Sequence, residues 1–278
     1  MTDKVLGIIG HPVSHSLSPA MHNHAARILG LGYSYVAFDV GPGSPKPALD
    51  AMRALGIVGV NVTVPHKEAA ARLVDKLEGD AARVGAVNTI TNVNGALVGS
   101  NTDGIGFVRA LKREKIDPAG KKTVVVGAGG SSRSICLALL REGAFLTIVN
   151  RTPEAGRNLA RILSPFGKAS FSPSSSRQAA EAAAGADIIV QTTPLGMRKS
   201  DPLPLADPRF HKGQVVYDII YSPERTKLLK LADKHGARTI NGLSMLVFQG
   251  SESFKIWTGR RFPEEKALSF LKRKLKGG

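Results

Sequence analysis

Cysteine is nearly absent from this 278-residue chain. Cys136 stands alone, so no internal disulfide and no cysteine-based metal cluster can form. Aromatic residues are scarce at 5%, too few for a base-stacking platform. No apolar run approaches the roughly 18–20 residues that a membrane helix needs. The start, Met1-Thr2-Asp3-Lys4-Val5, runs straight into a strand and lacks the apolar stretch and cleavage site of a secretory signal. A soluble, cytoplasmic protein is expected. Acidic residues are outnumbered: 22 Asp and Glu face 38 Lys and Arg, leaving +16. Such an excess suits anionic partners. The basic residues are spread along the chain, however, and cluster only at Lys272-Arg273-Lys274-Leu275-Lys276. The charge therefore reads as a surface that attracts anionic small molecules. No nucleic-acid or membrane partner is expected.

What is present is ordinary globular material, with 42% hydrophobic and 22% charged residues. At about 150 residues per domain the length suggests two domains. Apolar β-branched runs alternate with helical segments almost throughout, which predicts an α/β fold with parallel sheets covered on both faces. Strands are expected at 5–9, 33–40, 57–64, 123–126, 145–149, 187–191, 215–219 and 237–240. Asn94-Gly95 marks a hairpin between 89–93 and 96–98. Ser18-Pro19 reads as an N-cap and first helical residue, and a helix is expected from Lys67 to Lys76. Residues 192–211, with four prolines, read as a long ordered loop. Ligands in such folds sit at the carboxyl ends of strands.

Thr123-Val124-Val125-Val126-Gly127-Ala128-Gly129-Gly130-Ser131-Ser132-Arg133 runs from strand through glycine loop into helix. Its glycines let backbone N–H groups approach a pyrophosphate, and the helix start supplies partial positive charge. Ser132 holds the place of the third glycine. The alternative is a purely structural turn. An NAD site would end the next strand with an acid for the ribose hydroxyls. This strand ends Asn150-Arg151-Thr152 instead, and Arg151 can pair with and stack over a 2′-phosphoadenosine. NADP is the expected cofactor.

Three further segments look unusual as scaffold. Ser16 and Ser18 put two hydroxyls at a helix start, where they can cap it or bind a carboxylate. Lys67 opens a helix after Asn61-Val62-Thr63-Val64-Pro65-His66, where a lysine opposes the macrodipole. Asp103 can cap the helix after it or hold Lys67, and a Lys–Asp pair is a proton-transfer unit beside a hydride acceptor. His11, His15, His22 and His24 suggest a metal, but His22 and His24 point apart on a helix and lack carboxylate partners. No metal site is expected.

Together these segments are similar to shikimate dehydrogenases. The resemblance rests on His15-Ser16-Leu17-Ser18-Pro19, Asn61 to Lys67, Gly85-Ala86-Val87-Asn88-Thr89, Asn101-Thr102-Asp103-Gly104, Gly127-Ala128-Gly129-Gly130 and Asn150-Arg151-Thr152. It continues through Thr193-Pro194-Leu195-Gly196-Met197, Tyr217-Asp218-Ile219-Ile220-Tyr221 and Asn241-Gly242-Leu243-Ser244-Met245-Leu246. Nine motifs in the family's order span about residues 5 to 260. The resemblance implies reversible NADPH-dependent reduction of 3-dehydroshikimate to shikimate in aromatic amino acid biosynthesis, with Lys67 and Asp103 as the catalytic pair. It implies Ser16 and Ser18 on the substrate carboxylate with Tyr221 nearby, and Thr63, Asn88, Asp103 and Gln249 on the ring hydroxyls. Gly127, Ala128, Gly129, Gly130, Ser131, Asn150, Arg151, Thr152, Thr193, Ile219 and Gly242 would line the cofactor site. The implied architecture is a substrate domain at 1–104 plus 242–278, a Rossmann-type NADP domain at 105–241, and an active site in the cleft between them, in a monomer or homodimer. Two positions depart from the pattern. Ala155 stands where a second basic residue is common, with Arg157 as a possible substitute, and Gln191 stands where asparagine is common. The alternatives are a quinate/shikimate dehydrogenase using NAD, and a non-catalytic cofactor sensor.

Overall fold

The computed structural model describes residues 3–206 and 208–276. Met1 and Thr2 of the expected start, Asp207 of the expected loop, and Gly277 and Gly278 of the expected C-terminal segment lie outside the described residues. The chain forms two compact units, one of residues up to Gly106 together with those from Leu246 on, the other Phe107–Met245. The division falls within two helices, against expected boundaries at 104/105 and 241/242.

The first unit contains β1 (Lys4–Gly10), α1 (Ser18–Ile28), β2 (Tyr33–Asp39), α2 (Lys46–Ala54), β3 (Gly59–Val62) and α3 (Lys67–Ala71). β4 (Lys76–Leu77), α4 (Asp80–Val84), β5 (Thr89–Val93), β6 (Ala96–Ser100) and the start of α5 (Asp103–Arg113) follow. Its sheet has the order β2-β1-β3-β5-β6-β4. β1 pairs in parallel with β2 and β3, while the β5–β6 hairpin runs antiparallel to β3, so the sheet is mixed. β1 is buried from Leu6 to Gly10 because both faces of the sheet are covered. The helix expected over 67–76 stops at Ala71. Its continuation is taken by β4, which pairs with β6 through Lys76↔Val98 and Leu77↔Gly99.

The second unit holds the rest of α5, then β7 (Lys122–Val126), α6 (Gly130–Arg141), β8 (Phe145–Asn150), α7 (Pro153–Leu163), β9 (Ala169–Pro173) and α8 (Arg177–Ala184). β10 (Ile188–Gln191), β11 (Val215–Asp218), α9 (Lys227–Lys234) and β12 (Arg238–Ile240) complete it, up to the start of α10 (Leu243–Thr258). All pairings in its sheet are parallel, in the order β12-β11-β10-β7-β8-β9. That is the doubly wound arrangement, and its direction reverses between β7 and β10. Ile135, Cys136, Leu137 and Leu139 of α6 are fully buried. Each such apolar side chain contributes roughly 1.5–3 kcal/mol. Burial also pushes the Cys136 thiol up, so it serves as packing.

The remainder of α10 and α11 (Glu264–Lys276) return to the first unit. There Trp257 lies against Gly59, where an added Cβ would sit 2.1 Å from the indole nitrogen, and Trp257 Nε1 donates to the Ile90 carbonyl (3.1 Å).

Candidate active site

Lys67 is the first residue of α3 and only 9% exposed. Its Nζ donates to Asp103 Oδ2 at 2.5 Å. Asp103 begins α5, and its own N–H donates to Asn101 Oδ1 (3.0 Å). The Asp103 carboxylate thus faces Lys67, as one of the two sequence alternatives required. Its second oxygen accepts from Asn88 Nδ2 at 2.8 Å. Both charges are largely withdrawn from water, and either alone would carry a desolvation cost of several kcal/mol. Asn88 is oriented in turn: its Oδ1 accepts from the Thr102 N–H and the Thr89 hydroxyl, each at 2.8 Å. Its Nδ2 also lies 3.3 Å from Gln249 Oε1, so Lys67, Asp103, Asn88 and Gln249 are in direct succession.

Ser16, Ser18 and Thr63 lie on segments that leave neighbouring strands. β1 and β3 are paired up to Ile9↔Val62, and beyond them His11 N–H donates to the Val64 carbonyl (2.8 Å). The expected cap at Ser18 is not found. Leu17 occupies the N-cap position, Ser18 is the first helical residue, and Ser16 Oγ accepts from the Ser18 N–H (3.2 Å). The physical reason is register: the helix starts one residue earlier than proline at its first position would imply. The first turn of α1 carries no acidic residue, which leaves its positive end for an anion.

In the second unit the glycine loop leaves β7 at the reversal point. Gly127 has φ +118°, and a Cβ there would meet Thr192 Oγ1 at 2.5 Å and Thr193 Cγ2 at 3.1 Å. Glycine is required by both backbone and space. Around Gly129 the space is open, and α6 has no side-chain cap, so its first-turn N–H groups face a ready anion position. Ala128 is buried in this loop, and Gly130 and Ser131 open the helix. Ser132 Oγ lies 2.5 Å from Thr192 Oγ1, which itself donates to the Val126 carbonyl (2.6 Å). Ser132 therefore ties the two loops as well as packing small.

At the end of β8, Asn150 Nδ2 donates to the Thr152 carbonyl (2.9 Å), and Arg151 is exposed. Thr152 is the N-cap of α7 but its side chain makes no cap bond. A cavity of about 510 Å³ lies beside it, lined by Arg133, Thr152, Glu154, Ala155, Arg157, Asn158 and Arg161. Arginine from α6 and from later turns of α7 therefore lines the same cavity as Ala155, with Glu154 as its one acid. A second concavity, about 650 Å³, lies around Lys122, Phe145 and Lys168, at the opposite ends of β7 and β8. No candidate residue lines it.

Gln191 explains its own departure. Its Nε2 donates to the Thr193 and Leu195 carbonyls (2.9 and 2.8 Å), and its Oε1 accepts from the Thr193 N–H (2.9 Å). Asp218 was missed by sequence reasoning. It ends β11 wholly buried, accepts from the Ile220 N–H (3.0 Å) and the Thr226 hydroxyl (2.8 Å), and is pushed up to about 6 by burial. An acid closing the apolar run 215–217 was the available signal. Asp218 shapes the turn that carries Ile219 and Tyr221. Gly242 backs that turn, since a Cβ there would lie 1.8 Å from the Ile219 carbonyl oxygen.

No group of three or more His, Cys, Asp or Glu fit to hold a metal occurs among the described residues, and none of their helices is long and apolar enough to cross a membrane. Three family patterns match in order. Residues 8–90 match the shikimate dehydrogenase substrate binding domain, 110–196 the shikimate/quinate 5-dehydrogenase family, and 242–268 the shikimate 5′-dehydrogenase C-terminal domain. A Methanopyrus kandleri protein named shikimate dehydrogenase (NADP(+)) is 46% identical over 268 residues, covering 94% of this chain and 92% of that one. A crystal structure of a shikimate dehydrogenase with NADP+ is 41% identical, with a TM-score of 0.89 over 99% of this chain and 98% of that one. The Thermus thermophilus shikimate 5-dehydrogenase, solved with NADP(H) and shikimate, is 36% identical, with a TM-score of 0.85 over 97% and 99%. With this identity over nearly the whole length, the chain belongs to the shikimate dehydrogenase family.

Proposed function

We propose that this protein catalyses the reversible NADP-dependent interconversion of shikimate and 3-dehydroshikimate. The observation that carries the mechanism is the buried pair of Lys67 Nζ and Asp103 Oδ2. NADPH, when bound, supplies the hydride to the substrate carbonyl carbon. As that carbon gains the hydride, its oxygen develops negative charge, and Lys67 donates a proton from Nζ to it. In the oxidative direction Lys67 takes the hydroxyl proton back. Asp103 holds the ammonium in place and compensates its charge when no substrate is present. Asn88 keeps the carboxylate turned toward Lys67.

In this proposal Ser16 and Ser18, with the start of α1, hold the substrate carboxylate, and Tyr221 contributes to the same group. Thr63, Asn88, Asp103 and Gln249 select the ring hydroxyls. The residues before 107 and after 245 form the substrate unit and those between form the cofactor unit. The open loop at Gly129 and the uncapped α6 fit the diphosphate. Gly127 to Ser131, Thr193, Ile219 and Gly242 line the rest of the cofactor. The absence of an acid at 150–152 fits a 2′-phosphate, held by Asn150, Arg151 and Thr152.

The test is an absorbance assay of cofactor reduction with shikimate and NADP+, run on the parent chain and Lys67→Ala. The parent should turn over, and the variant should lose about 10²–10⁴-fold in turnover with unchanged NADPH affinity. Parent activity that survives the substitution would remove Lys67 from the mechanism. Preference for quinate and NAD+ would overturn the substrate and cofactor assignment.

A further inference from the structure

Behind the Lys67–Asp103 pair lies a buried row of polar side chains that joins the motif residues Asn61, Asn88, Thr89 and Thr102 to Tyr35 and Ser253, which lie outside every motif. Tyr35, Asn61, Thr89, Asn88, Thr102 and Ser253 are each at most 5% exposed. The Tyr35 hydroxyl donates to Asn61 Oδ1 at 2.7 Å. Asn61 Nδ2 donates to the Asn88 carbonyl and to Ser253 Oγ, both at 3.0 Å. Ser253 Oγ is 2.8 Å from Thr89 Oγ1, and Thr89 donates to Asn88 Oδ1 at 2.8 Å. Asn88 Nδ2 then donates to Asp103 Oδ1.

The donor inventory gives this row a direction. The Thr102 backbone N–H can only donate, so the Asn88 atom facing it is the oxygen, and the NH₂ must face Asp103. Thr89 spends its one hydrogen on Asn88 Oδ1. It therefore accepts from Ser253, whose oxygen accepts from Asn61 and whose one hydrogen is shared between Thr89 Oγ1 (2.8 Å) and the Gln249 carbonyl (3.1 Å). Asn61 uses both amide hydrogens once Tyr35 fills its oxygen. Hydrogen bonds aligned this way in a low-dielectric interior polarise one another.

We propose that Ser253, backed by Asn61 and Tyr35, is a positioning residue for the reaction. It acts through Thr89 and Asn88 to hold Asp103 in the orientation that aims the Lys67 ammonium. Ser253 makes no hydrogen bond to Asp103 or Lys67; its shortest route to them runs through Thr89 and Asn88, with a longer contact to Thr102 Oγ1 (3.2 Å) beside it. The proposal rests on the assignment of Lys67 and Asp103 as the catalytic pair.

A double-mutant cycle separates this role from packing. Ser253→Ala, Asn88→Ala and the double variant are assayed for kcat and for KM of shikimate, with NADP+ affinity and thermal unfolding as controls. Ser253→Ala should lower kcat roughly tenfold while NADP+ affinity stays constant. In the Asn88→Ala background the same substitution should change kcat less than about twofold. Tyr35→Phe keeps the ring and removes only the hydroxyl. It should shift kcat in the same direction by less, and serves if Ser253→Ala does not fold. A Ser253→Ala effect that multiplies fully onto that of Asn88→Ala, or an unchanged kcat in both Ser253→Ala and Tyr35→Phe, overturns the proposal. If Lys67→Ala and Asn88→Ala are themselves fully active, the catalytic assignment has failed, and the proposal falls with it.

Discussion

Arg151 lies just before the N-cap of α7 and Ala155 in the first turn of that helix, both at the proposed 2′-phosphate position. A charge-assisted bond to phosphate is worth about 1.5–3 kcal/mol. Arg151→Ala is therefore expected to weaken NADPH binding roughly 10- to 100-fold and to leave NADH binding nearly unchanged, as read by fluorescence titration. Equal losses for both cofactors would show that Arg151 does not read the phosphate. Residues of this kind were legible in the sequence because their surroundings are local. Lys67 stands out against the dipole of its own helix, and Asn150-Arg151-Thr152 replaces an acid at a fixed strand end. Ser18 was half legible: the helix start was visible, but its cap position belongs to Leu17. Ser253 was illegible. Its meaning lies in Thr89 and Asn61, 164 and 192 residues away, and no local pattern encodes that meeting.

Among the elements, the strands with uninterrupted apolar runs were plain from sequence, since burial on both faces demands them. β4 and α4 were hidden. Lys67 to Ala71 is rich in helix formers, and only the pairing of Lys76 and Leu77 with β6 says where the helix must stop. The packing of α10 on β3 was equally hidden, because it depends on one glycine facing one tryptophan. At Gly59 a Cβ would come within 2.6 Å of three indole atoms, and the ring is held by its bond to the Ile90 carbonyl. Gly59→Ala is therefore expected to destabilise the protein by about 1–3 kcal/mol through overpacking, measured by chemical denaturation. Trp257→Phe in the same chain should recover part of that loss, because the two sites share one contact. Additive losses would show that the strain lies elsewhere.

For the whole molecule, acid stability is set in part by His22. Its ring stacks on Tyr35 at 4.3 Å and is ringed by Phe254, Trp257 and Phe262, and neither ring nitrogen has a hydrogen-bond partner among the described residues. Burial lowers its pKa from 6.5 to about 3. The unfolded chain therefore takes up a proton below pH 6.5 that the folded chain refuses. Stability from this group is full above that pH and falls by about 1.4 kcal/mol per pH unit as acid is added, down to about pH 3. Asp218 acts in the opposite sense: its raised pKa favours the folded state in acid, and that contribution is lost as pH rises through about 6. Comparing His22→Phe with the parent cancels the Asp218 contribution. The variant should show the shallower loss of unfolding free energy between pH 6 and 4, and parallel curves would remove His22 as the cause. The division of the chain has a further bearing on how the molecule is made. Most of the first unit precedes the middle unit in the chain, but Trp257 and Ser253, which close it, follow the middle unit. A ribosome releases the amino-terminal end first. The strands of the first unit must therefore wait with their core open while the continuous middle unit is synthesised and able to fold, so of the two units the one synthesised earlier is the one completed later.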